Sequence, residues 1–431
     1  MQARHQSAER PVNARHARHH RRGRILQSVA LVTVAILAFG GTAAYAVYAR
    51  LNGNMDYVDV SALIGPRPAK TVQPGADPSA GHAVNILLLG SDSRDGANGA
   101  IGGRVALGMR SDTTIVMHIS ADRSRVEMVS IPRDSMVRIP TCQTTNGTTP
   151  ASSYAMFNEA FARGWDKGLD LASAAACTWR TVEENTGVTI DDFVLVDFSG
   201  FQSMVDAIGG VDICIPVAMK DKKAKLDVQA GNQHLDGKTA LAFARSRHSS
   251  ASDGSDIARI GNQQRLLAAM ASQIMSKNVL TDWTDLLGLL NAATKSLTTS
   301  FRTTDIAGLA YSARSIRSGN ISFMTIPWGA APDNPNRVVW TSEADTIWAN
   351  LSADVPVLTG TRDERETTPT QKPSSTAQAP SGDTTGSGTS ATQAPTSGST
   401  ATAGSSQEPT PKATRKAGRE SFTLDDDTGR C

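Results

Sequence analysis

The sequence predicts an α/β fold, a three-layer α/β/α sandwich around a mixed β-sheet, preceded by one transmembrane helix. Three observations predict it. Short apolar runs alternate with stretches of helical periodicity between 83 and 358, an uncharged run of membrane-spanning length lies near the N-terminus, and a Thr/Ser/Pro-rich stretch follows the globular part. The chain has 431 residues, 39% hydrophobic and 19% charged, with a formal net charge of +2. That length allows two or three domains. The near-neutral balance speaks against nucleic acid as a partner, because no basic excess is spread over the globular part.

Residues 1–24 form a basic cytoplasmic segment, with seven arginines against the single acid Glu9. Residues 25–48 carry no charge and are bounded by Arg24 and Arg50. As a helix this run covers a hydrocarbon core of about 30 Å. The basic flank stays in the cytoplasm, so the rest faces outward in a single-pass protein of the cell membrane. A cleaved signal peptide is the alternative, since Ala44-Tyr45-Ala46 resembles a cleavage site, but the apolar run exceeds the usual core of such peptides. Residues 49–82, rich in Gly, Pro and Ala, read as a juxtamembrane linker. Within 83–358, the runs 84–89, 113–119, 126–131, 193–196, 211–215 and 321–326 read as strands. The stretches 169–185, 200–207, 238–245, 259–276, 282–296, 304–316 and 342–351 read as helices, with Gly187 and Gly209-Gly210 suited to helix ends. Residues 359–431 have too few large apolar residues over most of their length to bury a core and read as a disordered tail.

Four cysteines show no metal-binding spacing, and outside a membrane an even number is compatible with two disulfides. Cys142 and Cys177 flank one segment and are the favoured pair. Cys214 with Cys431 is the second pairing, a free Cys431 its alternative.

Four stretches carry the chemistry. The run 85–89 breaks at Gly90 into Ser91-Asp92-Ser93-Arg94. Ligands of open α/β sheets sit at strand ends, so Asp92 and Arg94 are presented rather than packed, although an aspartate capping an ordinary turn reads the same in isolation. Arg110-Ser111-Asp112 leads straight into the strand 113–119, which sets Asp112 beside Asp92 if the two strands are neighbours. Paired carboxylates with few other protein ligands are what Mg2+ prefers; a surface ion pair between Asp112 and Arg110 is the plainer reading. In Ser130-Ile131-Pro132-Arg133-Asp134 a third strand stops at Pro132 and an Arg-Asp pair emerges. The fourth stretch is Arg245-Ser246-Arg247, followed by Asp256, Arg259, Gln263 and Gln264. Its two arginines point to different sides unless the helix unwinds at Ser246. Arg259 is expected to open the next helix, whose N-terminus is itself an anion site. Clustered guanidiniums with interleaved carboxylates suit a phosphate-rich ligand and a divalent cation, and outside a membrane they point to an anionic, lipid-carried substrate. Gly231 to Lys238-Thr239 fails as a phosphate-binding loop by one residue in spacing, and neither G-x-S-x-G nor HExxH occurs.

These residues closely resemble the LytR–CpsA–Psr family of cell-envelope proteins. The resemblance spans 85–327 through NILLLGSDSR, RSDTT, SIPRD, FNEAF, VDFSGF, GGVD, LDG with ALAFARSR, and D-x-x-R with NQQ. It implies an α/β/α fold with an apolar groove for a prenyl chain. It also implies a Mg2+-dependent polyprenyl-diphosphate glycopolymer phosphotransferase that links a glycopolymer to a muramic acid hydroxyl of peptidoglycan. By motif position, Asp92 and Asp112 resemble the Mg2+ ligands, and Arg94, Arg133, Arg245, Arg247 and Arg259 the pyrophosphate clamp. Asp256 resembles the base or orienting carboxylate, with Asp253 as fallback; Arg110, Gln263 and Gln264 are further substrate-binding candidates. Where the family often has Arg before Gln-Gln this chain has Asn262, so one phosphate contact is expected to be missing or supplied elsewhere. No motif encodes the polymer, whether arabinogalactan, a teichoic-type chain or capsule; the actinobacterial style favours an arabinogalactan-like polymer. A non-catalytic binder of polyprenyl lipids and a bare polyprenyl-diphosphate pyrophosphatase are the rival readings; the Asp92–Asp112 pair favours an enzyme over a binder.

Overall fold

Strict alternation along the first long strand puts Leu87 and Leu89 on one face and Val84, Ile86 and Leu88 on the other, and both faces are covered by packed side chains. A strand covered on both sides has to be apolar throughout, which is why this one reads as an unbroken run. The structure, a computed structural model, describes residues 15–67, 77–93, 97–102, 108–249, 254–276, 283–360 and 418–427. Its central sheet holds eight strands: β1 (Asp56–Tyr57), β2 (Val84–Ser91), β3 (Ser111–Ile119), β4 (Val126–Ile131), β5 (Asp192–Val196), β6 (Leu297–Thr299), β7 (Ile321–Thr325) and β8 (Phe422–Thr423). Their spatial order is β1-β6-β5-β2-β3-β4-β7-β8. β2 with β5, β4 with β7 and β1 with β6 are parallel, and the remaining neighbours are antiparallel, so the sheet is mixed.

One face is covered by the helices Glu159–Gly168, Leu171–Thr186 and Ser342–Ser352, which pack Phe161, Trp179 and Trp348 against Leu87, Leu89, Val116, Val129 and Phe193. Each such large side chain contributes about 1.5–3 kcal/mol on burial. On the other face, Phe301 and Leu309 close over Val84, Ile86 and Ile119 at one end. At the opposite end stands a lobe with its own core of Val205, Ile213, Leu235, Phe243 and Leu266. It comprises the helices Phe198–Ala207, Gly237–Arg245 and Asp256–Ser276 and the hairpin of Val211–Ile215 with Gly231–Leu235. The α/β/α sandwich expected from sequence is therefore the observed fold.

Several readings need correction. The strand at 211–215 forms, but in that hairpin and not in the central sheet. The stretch 49–82, read as linker, supplies the edge strand β1, and its Val60, Leu63 and Ile64 join the core. The tail read as disordered returns at 418–427, where β8 pairs with β7 and Phe422 stacks on Phe323 at 5.2 Å. Cys142 and Cys177 form the expected disulfide with 5.3 Å between Cα atoms; Cys431 lies outside the described residues. The N-terminal helix runs Arg15–Asn54, and its stretch Leu26–Asn54, with mean hydropathy 1.9, is long and apolar enough to cross a membrane. At its foot Arg50 and Asn54 donate to Asn291 of the helix Trp283–Ser296, at 3.2 and 3.0 Å.

Candidate active site

Because β2 and β3 pair antiparallel with Ser91 opposite Ser111, the end of one strand and the start of the other share one edge of the sheet. β4, parallel to β7, also ends at that edge, so Asp92, Asp112 and Arg133 emerge together. The approach of β2 to β3 is tight: a Cβ at Gly90 would sit 3.0 Å from that of Thr113, which accounts for the glycine before the turn. Between this edge and the second lobe lies a cavity of about 390 Å³. Its interior is apolar, walled by Leu88, Val194, Phe201, Met204, Leu266 and Met270, and its polar end carries Asp92, Asp112, Arg133, Arg245, Arg247 and Arg259.

Asp112 is the hub of the polar end. Arg133 Nη1 donates to its Oδ1 at 2.8 Å, Arg259 Nη1 lies 3.9 Å from its Oδ2, and Arg259 Nη2 donates to its backbone oxygen at 2.8 Å. Burial opposes its ionisation, but Arg259 and Arg133 outweigh burial and hold its carboxyl below the ordinary range. Asp256 stands behind the arginines, 2.6 Å from Arg259 Nη2 and 3.4 Å from Arg133 Nε. It is 7% exposed and neither carboxylate oxygen has an aligned donor. Burial pushes its carboxyl above the ordinary value, with Arg259 and Arg133 pulling the other way. Asp256 therefore holds two guanidiniums in place from within the protein and does not face the cavity.

Arg245 ends its helix and lies over the Phe198 ring, 4.4 Å from guanidinium carbon to centroid. The helix unwinds at Ser246, as the alternating arginines require, and the next backbone turn is fixed by Asp221. That carboxylate accepts from the Ser246 hydroxyl at 3.0 Å and from the Arg247 and His248 N–H groups at 3.1 and 2.9 Å. Burial opposes the charge on Asp221, but N–H donors from Ala224, His248 and Lys223 and the Ser246 hydroxyl lower its pKa to about 2.

The sequence model of the LytR_cpsA_psr family matches residues 49–352, well over half of the chain. The chain belongs to this family. A curated relative, the cell wall biosynthesis protein LcpA of Corynebacterium glutamicum, is 30% identical over 315 residues, covering 69% of this chain and 59% of that protein. The chain thus spans somewhat over half the length of that relative. The polyisoprenyl-teichoic acid–peptidoglycan teichoic acid transferase TagT of Bacillus subtilis is 29% identical over 266 residues, covering 60% of this chain and 72% of that protein. The solved LytR-Csp2A-Psr enzyme from Actinomyces oris is 20% identical with a TM-score of 0.49, covering 69% of this chain and 96% of that one.

Not every candidate carried by the LytR_cpsA_psr motifs reaches the cavity. Asp92, Asp112, Arg133, Arg245, Arg247, Arg259 and Gln263 line it. Gln263 is anchored there by Thr113 Oγ1 at 2.9 Å. Gln264 is buried elsewhere, its amide donating to Ser130 Oγ and Thr325 Oγ1 at 2.9 and 3.1 Å; it ties helix to sheet and is not on the cavity wall. Arg110 is exposed and meets Asp92 through its backbone, with the N–H donating to Asp92 Oδ1 at 2.6 Å. Arg94 and Asp253 lie outside the described residues. Arg259 does not open its helix: Asp256 does, and Arg259 follows one turn later. Asn262 is 7% exposed and off the cavity wall. Among the described residues, no group of three or more His, Cys, Asp or Glu is placed to hold a metal ion; the acidic groups on the cavity wall at this edge are Asp92 and Asp112, with Asp197 further along. Two hard oxygen donors suit a cation that keeps most of its shell for water and phosphate oxygens. Sequence reasoning did not single out Asp221 or Phe198, which position Arg247 and Arg245. Asp221 sits in the lysine-rich run 220–225, which reads as a solvated face, Phe198 is one residue of the VDFSGF motif, and each is distant in sequence from the arginine it serves.

Proposed function

We propose that this protein is a membrane-anchored phosphotransferase that moves a glycopolymer from a polyprenyl-diphosphate carrier to a muramic acid hydroxyl of peptidoglycan. The observation that carries the reading is one cavity in which an apolar channel ends at four arginines. A prenyl chain fits the channel through apolar contact, and a diphosphate fits the arginines through charge-assisted, fork-shaped hydrogen bonds. The relatives' names, cell wall biosynthesis for one and teichoic acid transfer to peptidoglycan for another, support the same chemistry.

In this reading the acceptor oxygen attacks the glycan-side phosphorus. A P–O bond to peptidoglycan forms as the bridging P–O bond breaks, polyprenyl monophosphate leaves, and the hydroxyl proton passes to that leaving phosphate. Arg133, Arg245, Arg247 and Arg259 neutralise the charge developing on the leaving phosphate. Asp256 keeps Arg133 and Arg259 oriented. Asp112, paired with Arg133 and flanked by Arg259, has an electrostatic part. Asp92 and Asp112 would hold Mg2+, which supplies charge neutralisation at the diphosphate. The basic N-terminus stays cytoplasmic and the catalytic domain extracytoplasmic. We take the polymer to be of arabinogalactan type, a choice resting on the actinobacterial character of the sequence and supported by similarity to a corynebacterial relative.

The test incubates the full-length protein in detergent with a labelled polyprenyl-diphosphate glycan, peptidoglycan oligomers and Mg2+. Label is expected on peptidoglycan, and removing Mg2+ with a chelator is expected to stop transfer. Release of phosphate or free glycan without peptidoglycan labelling would make the protein a pyrophosphatase instead.

A further inference from the structure

The strand edge that carries Arg133 continues sideways into a shelf that the four arginines above do not use. The hairpin of Trp328–Ala331 with Asn334–Trp340 sits on the turn after Arg133: Val338 N donates to the Asp134 carbonyl at 3.2 Å, and Trp340 Nε1 donates to Ser135 Oγ at 3.1 Å. From this hairpin Arg337 Nη1 reaches to 3.9 Å from Asp134 Oδ1, while Arg133 Nε lies 3.7 Å from the same oxygen. The returning C-terminal segment closes the shelf from the other side. A Cβ at Gly418 would meet the Ile257 carbonyl oxygen at 2.2 Å, so its backbone lies directly against the first turns of the helix that carries Asp256 and Arg259. The next residue, Arg419, is exposed, and its guanidinium stacks over the Trp328 ring at 5.2 Å.

A guanidinium laid flat on an indole keeps its N–H edges for a planar anion. Arg419, over Trp328, and Arg337, beside Asp134, thus both lie at the hairpin that packs on the turn after Arg133, off the wall of the apolar channel. We propose that they form a subsite for carboxylate groups of the acceptor, the peptide-bearing glycan of peptidoglycan, which rests on the transferase reading above. The C-terminal segment is then part of the substrate-binding surface, held on the sheet by β8. The donor's phosphates are the other source of anionic groups, and the experiment separates the two.

The full-length protein is assayed with a disaccharide-pentapeptide fragment as acceptor and with the same fragment after amidation of its carboxylates. Arg419→Ala and Arg337→Ala are each expected to raise the acceptor KM about tenfold, leaving kcat and donor KM unchanged, and to have no effect with the amidated fragment. Arg419→Lys keeps the charge but loses the stacked fork and falls between. Binding of the same fragment is measured by calorimetry, independently of transfer. If no transfer occurs but the wild type binds the fragment and Arg419→Ala does not, the subsite stands and the transferase reading falls. No binding by the wild type, unchanged binding in both variants, or a rise in donor KM in its place overturns the proposal.

Discussion

Asp221 and Arg133 show two ways in which single charges are fixed at this site. Asp221 is 2% exposed, and its charge is held by backbone N–H groups and a hydroxyl. Because its folded pKa is depressed, from 3.8 to about 2, the stability it confers is present above pH 4 and is lost as pH falls towards 2. Asp221→Asn is expected to cost about 2 kcal/mol at pH 7 and to flatten the acid limb of the stability–pH curve between 4 and 2, measured by urea melts across pH. The same variant frees the Arg247 backbone turn, so the donor KM is expected to rise. Arg133 stands between Asp112, Asp134 and Asp256. Arg133→Ala is expected to lower kcat/KM about a thousandfold, in the range seen when one charge-stabilising group is removed. Its melting temperature is expected to fall by only a few degrees, since Arg259 still faces both Asp112 and Asp256. Full transfer activity in that variant would remove Arg133 from the mechanism.

At the scale of elements, β8 turns a distant stretch of sequence into part of the sheet. Phe422 stacks on Phe323, with Leu424 and Ala268 completing a small core. Phe422→Ala is expected to cost about 3 kcal/mol and to release the C-terminal segment, read as loss of amide protection in β7 by hydrogen exchange. The strand was not legible in advance because Phe422 and Leu424 follow a long Ser/Thr/Pro/Gly tract whose composition dominates any window containing them. β1 and β6 were missed for a related reason: two- and three-residue strands carry no period to detect. By contrast β2, β3, β4, β5 and β7 were legible, because strands covered on both faces must be apolar along their length. The convergence of Asp92, Asp112 and Arg133 was readable as three polar exits from strands, but their common edge depended on antiparallel pairing of β2 with β3, which sequence alone left open. Asp256 was picked out by motif position as a candidate base or orienting carboxylate. Its burial behind two arginines, and hence an orienting role, came only from the packing of its helix.

For the whole molecule, the anchor and the cavity are linked through packed elements. The foot of the N-terminal helix bonds to Asn291 on the helix Trp283–Ser296, and a Cβ at Gly200 would meet the Ser296 carbonyl oxygen at 2.7 Å. Gly200 belongs to the helix Phe198–Ala207, which supplies Phe198, Phe201 and Met204 to the cavity wall. This arrangement ties the channel to the foot of the apolar N-terminal helix. Removal of residues 1–48 is expected to lower the rate with lipid donor in vesicles by tenfold or more, through loss of effective concentration. The rate with a short-chain donor in solution should be unchanged. An equal loss with both donors would mean that the anchor supports the fold and not the encounter.

The most direct test of the central claim, a diphosphate gripped at the arginine end of an apolar channel and split by an acceptor hydroxyl, is the phosphorus balance of the reaction followed by 31P NMR. One phosphodiester resonance on peptidoglycan should appear for each polyprenyl monophosphate released, and both should vanish in Arg133→Ala. Polyprenyl monophosphate accompanied by glycan monophosphate, with no phosphodiester on peptidoglycan, would contradict it.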